Sequence, residues 1–335
     1  MKTILVTGGA GFIGSTFITY ILNKYPEYFI INFDKLTYAG NLENLNEAKS
    51  FDNYKFIQGD IIDREHLWEI FNSNEIHYVV NFAAETHVDR SIDDPDVFIR
   101  TNVLGTGVLL DVSKRSWEEG TDEQGYPVYK EGVKYIQIST DEVYGALGKE
   151  GLFTELTPLS PNSPYSASKA SGDLLVQAYH NTYHFPAIIT RCSNNYGPRQ
   201  YPEKLIPLMI KKALQMEKLP VYGDGLQIRD WIHVVDHCRA IDQVMQMGCI
   251  GEVYNIGGIQ EKQNIEIIKL ILEILGKNDT LIEYIQDRLG HDRRYAIDNT
   301  KIRNEIKWEP IYSFENGMVE TIDWYKPIFL KEVHK

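Results

Sequence analysis

Residues 4–14 read Ile4-Leu5-Val6-Thr7-Gly8-Gly9-Ala10-Gly11-Phe12-Ile13-Gly14, and this stretch decides the fold. An apolar strand runs into a glycine-rich turn and then into a helix that begins near Phe12. Gly9, Gly11 and Gly14 match G-x-G-x-x-G, in which glycines allow a tight turn, close approach to a pyrophosphate and close helix–strand packing. The free amides and positive dipole end of the helix favour phosphates. The predicted dinucleotide contacts here are Gly8, Gly11, Phe12, Ile13 and Gly14.

The next strand ends in a carboxylate. The run Tyr28–Asp34 is apolar up to Asp34, which lies 20 residues past Gly14. An acid at that spacing accepts hydrogen bonds from the ribose hydroxyls of a dinucleotide. The alternative, a glycine turn that merely joins strand to helix, does not account for this acid. Asp34 also repels a 2′-phosphate, which favours NAD over NADP, while the neighbouring Lys35 partly offsets that repulsion.

The composition excludes several classes of protein. The chain has 335 residues, 43% of them hydrophobic, so it is globular and long enough for one large or two ordinary domains. A net charge of −13 argues against nucleic acid or an anionic membrane as partner, because both require clustered cations. The three cysteines and the histidines lack ligand spacing, so no metal site and no disulfide framework are indicated.

The N-terminus carries no targeting signal that the sequence reveals. Its apolar run breaks at Gly8, which is too early for a signal-peptide core, and no apolar segment approaches the ~20 residues that span a bilayer. With three cysteines that suit a reducing environment, the expected location is the cytoplasm.

Short apolar runs alternate with helical patterns along the first two hundred residues. Continuous apolar runs are typical of parallel strands buried on both faces, and the β-α-β order predicts a doubly wound α/β sheet of the Rossmann type. The expected strands are 3–7, 28–34, 54–58, 77–83, 133–139 and 186–191; the expected helices are 12–24, 63–73, 96–116 and 165–183.

The later part of the chain has a looser pattern. We expect an NAD-binding domain over residues 1–192 and a smaller substrate-binding portion over 193–335, with a helix near 203–216, a strand near 219–222, and a strand near 253–256 that returns to the main sheet. The polar segment 117–132 is interpreted as a surface insertion.

A tyrosine and a lysine lie four residues apart in Tyr165-Ser166-Ala167-Ser168-Lys169, on one face of a predicted helix. For a tyrosine to act as a base near neutrality, its pKa must fall from about 10 by ~3 units, worth roughly 4 kcal/mol. One cation at about 4 Å, at an effective dielectric near 20, supplies about that much. The alternative is an amphipathic helix with a packed tyrosine and a solvated lysine. The preceding strand end, Ser139-Thr140, favours a catalytic pair.

These motifs resemble a known family. Residues 8–14 with Tyr165 and Lys169 are similar to the extended short-chain dehydrogenases/reductases that modify nucleotide sugars, and the run from Ser139 to Gly145 resembles the dTDP-glucose 4,6-dehydratase branch. The resemblance continues through 81–91, 191–198 and 290–295 and covers nearly the whole chain. Two departures are Leu289, where a proline commonly stands, and the longer 117–132 segment.

The resemblance implies a lyase that converts dTDP-glucose to dTDP-4-keto-6-deoxyglucose and water, with NAD reduced and reoxidised in each cycle. Tyr165 takes the C4 hydroxyl proton, Thr140 hydrogen-bonds nearby, Glu142 takes the C5 proton, and Asp141, kept protonated, helps the C6 hydroxyl to leave. A solvated acidic turn is the alternative for Asp141 and Glu142. The expected catalytic residues are Thr140, Asp141, Glu142, Tyr165 and Lys169.

The resemblance also implies binding residues for both ligands. For the cofactor these are Asp34, Lys35, Thr37, Asp60, Ile61, Ala83, Ala84, Tyr165 and Lys169, beside the glycine-rich stretch. For the nucleotide sugar they are Glu85, Thr140, Asn194, Lys204, Leu205, Pro220, Tyr222, Arg229, Asn264, His291 and Arg294. A planar arginine fork suits phosphate oxygens, although a surface ion pair is an equal alternative for each arginine, and Tyr222 could stack on a base or pack in the core.

Other functions remain open. A nucleotide-sugar 4,6-dehydratase of other specificity would use the same residues, and a 4-epimerase or a decarboxylase would also need Tyr165, Lys169 and bound NAD. A catalytically silent NAD-binding protein is a further alternative, but it would have no use for the acidic pair Asp141-Glu142. The resemblance further implies a homodimer that pairs the helices near 96–116 and 165–180.

Overall fold

A computed structural model of the chain describes residues 2–287 and 291–333. Within these residues, seven parallel strands form the central sheet, in the order β12-β8-β7-β4-β1-β2-β3. The strands of the chain are β1 Lys2–Thr7, β2 Tyr28–Asp34, β3 Tyr54–Gln58, β4 Ile76–Asn81, β5 Glu118–Thr121, β6 Pro127–Tyr129, β7 Lys134–Thr140, β8 Ala187–Cys192, β9 Asn194–Tyr196, β10 Leu219–Tyr222, β11 Ile228–His233, β12 Val253–Ile256, β13 Glu261–Gln263 and β14 Ile282–Ile285.

Helices flank the sheet on both faces. They are α1 Phe12–Lys24, α2 Arg64–Ser73, α3 Val88–Asp93, α4 Pro95–Phe98, α5 Thr106–Trp117, α6 Pro164–Tyr183, α7 Leu205–Leu214, α8 Val234–Met247, α9 Asn264–Ile274, α10 Thr300–Ile306 and α11 Phe314–Val333. A π-helical segment, Ile99–Gly105, joins α4 to α5, and a short 3-10 helix, Asp141–Tyr144, follows β7.

The alternation of side chains along the strands divides the core into two layers. In β1, Ile4 and Val6 point to the layer that also contains α1 and α8, whereas Leu5 points to the layer that contains α2, α5 and α6. All three are fully buried. Strands that are covered on both faces have no polar side, which explains the continuous apolar runs in the sequence.

Successive strands are added first on one side of β1 and then on the other, so the strand order reverses between β1 and β4. From β1 the chain proceeds outward through β2 and β3, then returns to the other side of β1 and continues through β4, β7 and β8. The carboxyl ends of β1 and β4 therefore flank a crevice, which is where open α/β sheets bind their ligands.

A third core lies beyond the sheet. It is built from α7, α9 and α11 with residues of β10 and β11, and includes Ile210, Trp231, Ile268 and Phe314. Small sheets pair β10 with β14 and β11 with β9 and β13. The expected strand near 253–256 is β12, whose Val253 pairs with Ile189 of β8 in the main sheet.

Two sequence-based expectations need correction. The expected helix over 96–116 is present but not regular, because a π-helical turn, Ile99–Gly105, separates α4 from α5; within that turn the Asn102 amide joins the backbone of Glu85 to Ser168 on α6. The segment 117–132 is not wholly a surface insertion. Trp117 is buried and its indole nitrogen donates to the Ile76 carbonyl, while β5 and β6 form an antiparallel hairpin beyond it.

Among the residues described, no helix has the length and apolar character needed to cross a membrane.

Candidate active site

The glycine-rich turn lies in the crevice between β1 and β4. Gly8 has a φ of +69°, and a Cβ there would approach the Ala83 backbone nitrogen to 2.6 Å. A Cβ on Gly14 would stand 2.5 Å from the Gly8 carbonyl oxygen. Both positions therefore require glycine, because backbone on the opposite side cannot give way. The turn delivers the chain directly into α1, whose preceding residue, Gly11, has no side chain to cap the first amides.

Asp34 ends β2 beside this turn and is almost fully buried. One carboxylate oxygen accepts from the Ala10 nitrogen at 2.8 Å, and the other accepts from the Leu36 nitrogen at 2.7 Å. Burial raises the pKa of Asp34, while these two backbone hydrogen bonds lower it. Asp34 therefore holds the glycine-rich turn next to the end of β2 by hydrogen bonding. Each carboxylate oxygen can still accept a further hydrogen bond, for example from a ribose hydroxyl.

Lys35 is not a free cation at this position. Its ammonium lies 2.8 Å from a carboxylate oxygen of Asp60, which follows β3. The expected offset of the Asp34 charge by Lys35 is therefore reduced, because Asp60 already balances the lysine.

One cavity contains every residue that the sequence assigned to the cofactor. The lining includes Gly8, Gly11, Phe12, Ile13, Gly14, Asp34, Lys35, Thr37, Asp60, Ile61, Ala83, Ala84, Tyr165 and Lys169. Three of the expected catalytic residues, Thr140, Asp141 and Glu142, line the same cavity. The dinucleotide crevice and the reactive side chains thus form a single space.

The acidic residues lie in the 3-10 turn after β7. Thr140 caps this turn, because its hydroxyl accepts from the Glu142 nitrogen at 3.3 Å. The same hydroxyl lies 3.3 Å from a carboxyl oxygen of Asp141. Burial raises the pKa of Asp141 well above its usual range, and the negative charges of Glu142 and Asp230 raise it further. The raised pKa favours the protonated form of Asp141, and Glu142 is partly exposed to the cavity.

Tyr165 lies in the first turn of α6. A capping box between Ser163 and Ser166 starts this helix, with Pro164 at its first position. The Tyr165 ring packs edge-on against Phe98 at a centroid distance of 6.3 Å. Burial raises the pKa of Tyr165 well above its usual value, the charge of Glu142 adds to the increase, and a hydrogen bond from Thr140 opposes it.

In the chain by itself, the pKa of Tyr165 is raised rather than lowered, because the phenol is buried and Glu142 is close. Lys169 is buried too, and its ammonium donates to the Ile138 carbonyl oxygen at 2.7 Å. Burial also lowers the pKa of Lys169 itself. Desolvation and the charge of Glu142 therefore oppose the effect expected of Lys169 on Tyr165.

Of the expected substrate contacts, Glu85, Thr140, Asn194 and Lys204 line the cavity. The Glu85 backbone is fixed by Asn102, and the Lys204 ammonium donates to the Thr86 carbonyl oxygen at 3.0 Å. Within the described residues, the lining does not include Leu205, Pro220, Tyr222, Arg229, Asn264, His291 and Arg294.

Three of these seven residues, Arg229, Asn264 and Arg294, lie near one another around the start of β11. The Asn264 nitrogen donates to the Gln227 carbonyl, and Arg294 forms a β-bridge with Ile228 beside Arg229. Tyr222 is 39% exposed, so it is not a core residue, and its ring faces that of His291 edge-on at 6.3 Å. Arg294 pairs with Glu261 through two hydrogen bonds of 2.6 and 2.8 Å, which matches the ion-pair alternative for this arginine.

Arg229 links this second group to the acidic turn after β7. Burial raises the pKa of Asp141, and the positive charge of Arg229 offsets part of that increase, so the two side chains share one electrostatic environment. The Arg229 guanidinium also lies over the Tyr295 ring at 4.3 Å, and burial, followed by the charge of Glu142, raises the pKa of Tyr295. Sequence analysis assigned no role to Tyr295, although it follows directly on Arg294.

A further cluster at the cavity joins segments that are distant in sequence. The Arg90 guanidinium lies 3.7 Å from the centre of the Tyr38 ring and 3.4 Å from a Glu203 carboxylate oxygen. Tyr38 in turn packs edge-on against Tyr201. The site residues expected from the sequence do not include six further residues of the cavity lining, namely Tyr38, Cys192, Ser193, Asn195, Gln200 and Tyr201. Three of these, Cys192, Ser193 and Asn195, lie within the 191–198 motif, which is the signal that could have identified them.

Two residues of the sequence argument, Leu289 and Gly290, lie outside the described residues. Within residues 2–287 and 291–333, no three His, Cys, Asp or Glu side chains are grouped as metal ligands.

Comparison with known proteins places this site in a family. Residues 5–321 match the family described as GDP-mannose 4,6 dehydratase. A curated dTDP-glucose 4,6-dehydratase of Xanthomonas campestris pv. campestris is 49% identical over 97% of this chain and 93% of its own length.

Solved structures agree with the sequence comparison. The dTDP-glucose 4,6-dehydratase of Bacillus anthracis in complex with NAD has a TM-score of 0.87 and 52% identity, over 98% of this chain and 97% of that one. A UDP-glucose 4-epimerase of Thermotoga maritima has a TM-score of 0.86 but only 32% identity, over 97% of this chain and 99% of that one. The expected family and the doubly wound fold are therefore confirmed.

Proposed function

The chain belongs to the GDP-mannose 4,6 dehydratase family, and from this premise we propose that it is an NAD-dependent dTDP-glucose 4,6-dehydratase. It converts dTDP-glucose to dTDP-4-keto-6-deoxyglucose and water. The observation that carries this proposal is the buried Asp141 beside Glu142, in the same cavity as Tyr165 and the glycine-rich turn, with burial raising the pKa of Asp141. Elimination of water across C5 and C6 needs an acid and a base besides Tyr165, whereas exchange of the C4 configuration needs only the group that takes the C4 hydroxyl proton.

The residues of the crevice fit a dinucleotide. Gly8 and Gly14 leave room that a Cβ would fill, and the uncapped amides at the start of α1 suit a pyrophosphate. Asp34 suits the ribose hydroxyls at the end of β2. When bound, NAD supplies an oxidant that accepts a hydride and later gives it back.

Tyr165 is the proposed base for oxidation at C4. It takes the hydroxyl proton while the C4 hydrogen leaves as hydride, and Thr140 orients the same hydroxyl. Because burial and Glu142 raise the pKa of Tyr165, the phenol is protonated in the chain by itself. It becomes a base only when further positive charge enters the cavity beside Lys169.

Glu142 and Asp141 are proposed to carry out the elimination. The C4 ketone acidifies the C5 hydrogen, which Glu142 removes as a proton. Asp141 gives its proton to the C6 hydroxyl, which leaves as water. The hydride then returns to C6 and a proton to C5, so the redox state of the cofactor is unchanged after each cycle.

The nucleotide sugar is proposed to extend from this turn toward residues 193–335, while residues 1–192 hold the dinucleotide. Supporting this division, Asn194 and Lys204 line the cavity, and Arg229 influences Asp141 electrostatically. Tyr222, with its exposed ring, is the proposed stacking partner of the base. The other proposed contacts are Glu85, Leu205, Pro220, Asn264, His291 and Arg294.

We also propose a homodimer. Large apolar side chains are exposed on neighbouring helices, namely Ile92 (43%), Ile99 (53%), Leu104 (51%) and Leu174 (55%). These residues lie on α3, on the π-helical segment that precedes α5, and on α6, and a second copy of the chain would bury them in a four-helix contact formed by the helical stretches 96–116 and 165–180 of the two protomers. The free cysteines Cys192, Cys238 and Cys249 suit a reducing compartment, and we propose the cytoplasm.

One experiment tests activity and specificity together. Purified protein is incubated with dTDP-glucose and separately with UDP-, CDP- and GDP-sugars, and NMR follows the appearance of a C6 methyl signal. The proposal requires that signal, strongest with dTDP-glucose. A changed C4 configuration with an intact C6 hydroxymethyl group would instead identify an epimerase.

A further inference from the structure

Arg191 is a charged residue inside the central sheet. It belongs to β8, in the sequence Ala187-Ile-Ile-Thr-Arg-Cys192, and is only 2% exposed. An arginine is almost never fully buried unless it is paired, and a buried ion pair is often no more stabilising than apolar side chains of equal volume. Stability alone therefore does not explain a guanidinium at this position.

The guanidinium of Arg191 has two side-chain partners. Its Nε donates to a carboxylate oxygen of Asp173 at 2.9 Å, and one terminal nitrogen donates to the Tyr144 hydroxyl at 3.0 Å. The Tyr144 hydroxyl in turn donates to the Asn255 side-chain oxygen at 2.8 Å. All four side chains are buried, so their mutual positions are strongly constrained.

Each partner of Arg191 belongs to one of the two catalytic segments. Asp173 lies on α6, one helical turn beyond Lys169 and two beyond Tyr165, so the three residues share a face. Tyr144 ends the 3-10 turn that begins with Asp141 and Glu142. Arg191 therefore joins the helix of the oxidation step to the turn of the elimination step.

Asp173 also acts on Lys169 without binding its ammonium. Arg191 holds one Asp173 oxygen, while the Lys169 ammonium donates to the Ile138 carbonyl. Burial lowers the pKa of Lys169, and the negative charge of Asp173 raises it. The other titratable group that influences Lys169 is Cys192, on β8. Those that influence Tyr165 are Glu142, Cys192 and Asp141.

We propose that Arg191 is a positioning residue for this reaction. Through Asp173 it maintains the counter-charge of Lys169, and through Tyr144 it holds the acidic turn opposite Tyr165. This inference rests on the proposed function, because it assumes the roles given to Tyr165, Lys169, Asp141 and Glu142. Arg191 touches neither substrate nor cofactor in this scheme, and it acts only through its two partners.

The link from Arg191 through Asp173 to Lys169 is tested by the pH dependence of turnover. Asp173→Asn keeps the shape of the side chain but removes its charge, so Lys169 loses its proton at lower pH. We expect the alkaline limb of the kcat–pH profile to move down by about one unit, as for loss of one nearby opposite charge. Asp242→Asn is the matched control, since Asp242 is equally buried and pairs with Lys24 at 2.7 Å. Its alkaline limb should match that of the wild type.

The link from Arg191 through Tyr144 to the acidic turn is tested by measuring C4 oxidation and water loss separately. Tyr144→Phe removes one hydroxyl and should fold, while leaving the acidic turn without its link to Arg191. We expect water loss to slow about tenfold or more relative to C4 oxidation, so that NADH absorbance accumulates in a single turnover. Tyr135→Phe, which removes the hydroxyl of another buried tyrosine, should not change this ratio.

The outcomes separate two different failures. If wild-type protein does not turn over dTDP-glucose, the proposed function is wrong. If the wild type is active but Asp173→Asn keeps its alkaline limb and Tyr144→Phe keeps the ratio of the two steps, the positioning role of Arg191 is wrong. Should Asp173→Asn not fold, the Tyr144→Phe ratio decides the matter.

Discussion

The hydroxyl of Thr140 lies 3.3 Å from the carboxyl of Asp141, its neighbour in the chain, where β7 ends and the 3-10 turn begins. Asp141 is 1% exposed. Burial, and after it the charge of the neighbouring Glu142, raise the pKa of Asp141 well above its usual range, and the charge of Arg229 offsets only part of this increase. A raised pKa favours the protonated carboxyl, which is the form that an acid for the proposed elimination needs.

Glu142→Gln should uncouple oxidation from water loss. The amide keeps the size of the side chain but cannot take the C5 proton, so we expect C4 oxidation to continue and dehydration to fall by about 10²-fold or more. NADH absorbance measures the first step, and NMR of the C6 methyl group measures the product. Glu150→Gln, at an exposed position, is the control. Undiminished 6-deoxy product from Glu142→Gln would exclude Glu142 as the base.

Tyr165→Phe should abolish the first step. Without a phenolic oxygen, no group takes the C4 hydroxyl proton as hydride leaves, and we expect the rate of C4 oxidation to fall by about 10²- to 10⁴-fold. Single-turnover absorbance of NADH measures this rate. Tyr179→Phe, on the same helix but away from the cavity, should behave like the wild type. Near-normal hydride transfer by Tyr165→Phe would contradict the assignment.

Asp60→Asn should weaken the preference for NAD over NADP. Lys35 is paired with Asp60 at 2.8 Å, and loss of that carboxylate releases a cation beside the ribose end of the crevice. A freed charge in this partly solvated position is worth about 1 kcal/mol, or roughly a fivefold gain in NADP affinity. Equilibrium binding of both dinucleotides measures the ratio. A second substitution, Lys35→Ala, should cancel the gain; if it persists, Lys35 is not its cause.

Stability should depend on His237 below pH 6.5. Burial lowers the pKa of His237 to about 3 from 6.5, so the unfolded chain binds the extra proton between these values. The wild type therefore loses about 1.4 kcal/mol per pH unit as pH falls below 6.5. Relative to His237→Gln, its free energy of unfolding should decrease by about 2 kcal/mol between pH 8 and pH 5.

Urea unfolding across this pH range measures the difference. His184→Asn serves as the control, since His184 is exposed and has a left-handed backbone that asparagine tolerates. For His184→Asn, the plot of unfolding free energy against pH should run parallel to that of the wild type. Parallel curves for His237→Gln as well would show that His237 is not the group responsible.

Leu174→Asp should dissociate the proposed homodimer. Leu174 is 55% exposed on α6, and a carboxylate there would have to be desolvated against the second copy. Sedimentation or light scattering should report a dimer for the wild type and a monomer for the variant. Leu156→Asp is the matched control, because Leu156 is 93% exposed in the loop before α6. A monomeric wild-type protein would contradict the proposed homodimer.

The sheet was predictable because its signals are local. β2 and β3 occupy the expected ranges, and the glycine-rich turn joins β1 to α1 as its spacing predicts. The π-helical turn was not predictable, because Asn102 is placed by contacts with Glu85 and Ser168 rather than by its neighbours. Trp117 illustrates the same limit, since a tryptophan at the edge of a polar segment gives no sign that it packs under β4.

The site was predictable as a set of residues but not in its electrostatics. Residue type and spacing identified Tyr165 and Lys169, the family resemblance added Asp141, and the cavity contains all three. The direction of the Tyr165 pKa depends on burial and on Glu142, which only the folded arrangement reveals. Tyr38 was missed for a related reason, because Arg90 brings it close to Glu203 from a segment far away in sequence.

The position of β12 has a consequence for biosynthesis. Residues 253–256 form the edge strand that pairs with β8. When β8 has left the ribosome, one side of its backbone therefore stays unpaired until about sixty further residues have been synthesised. Truncation before residue 253 should therefore give insoluble protein rather than a small independent NAD-binding module. Assembly of the sheet must wait for late synthesis, and this interval is when a chaperone would be needed most.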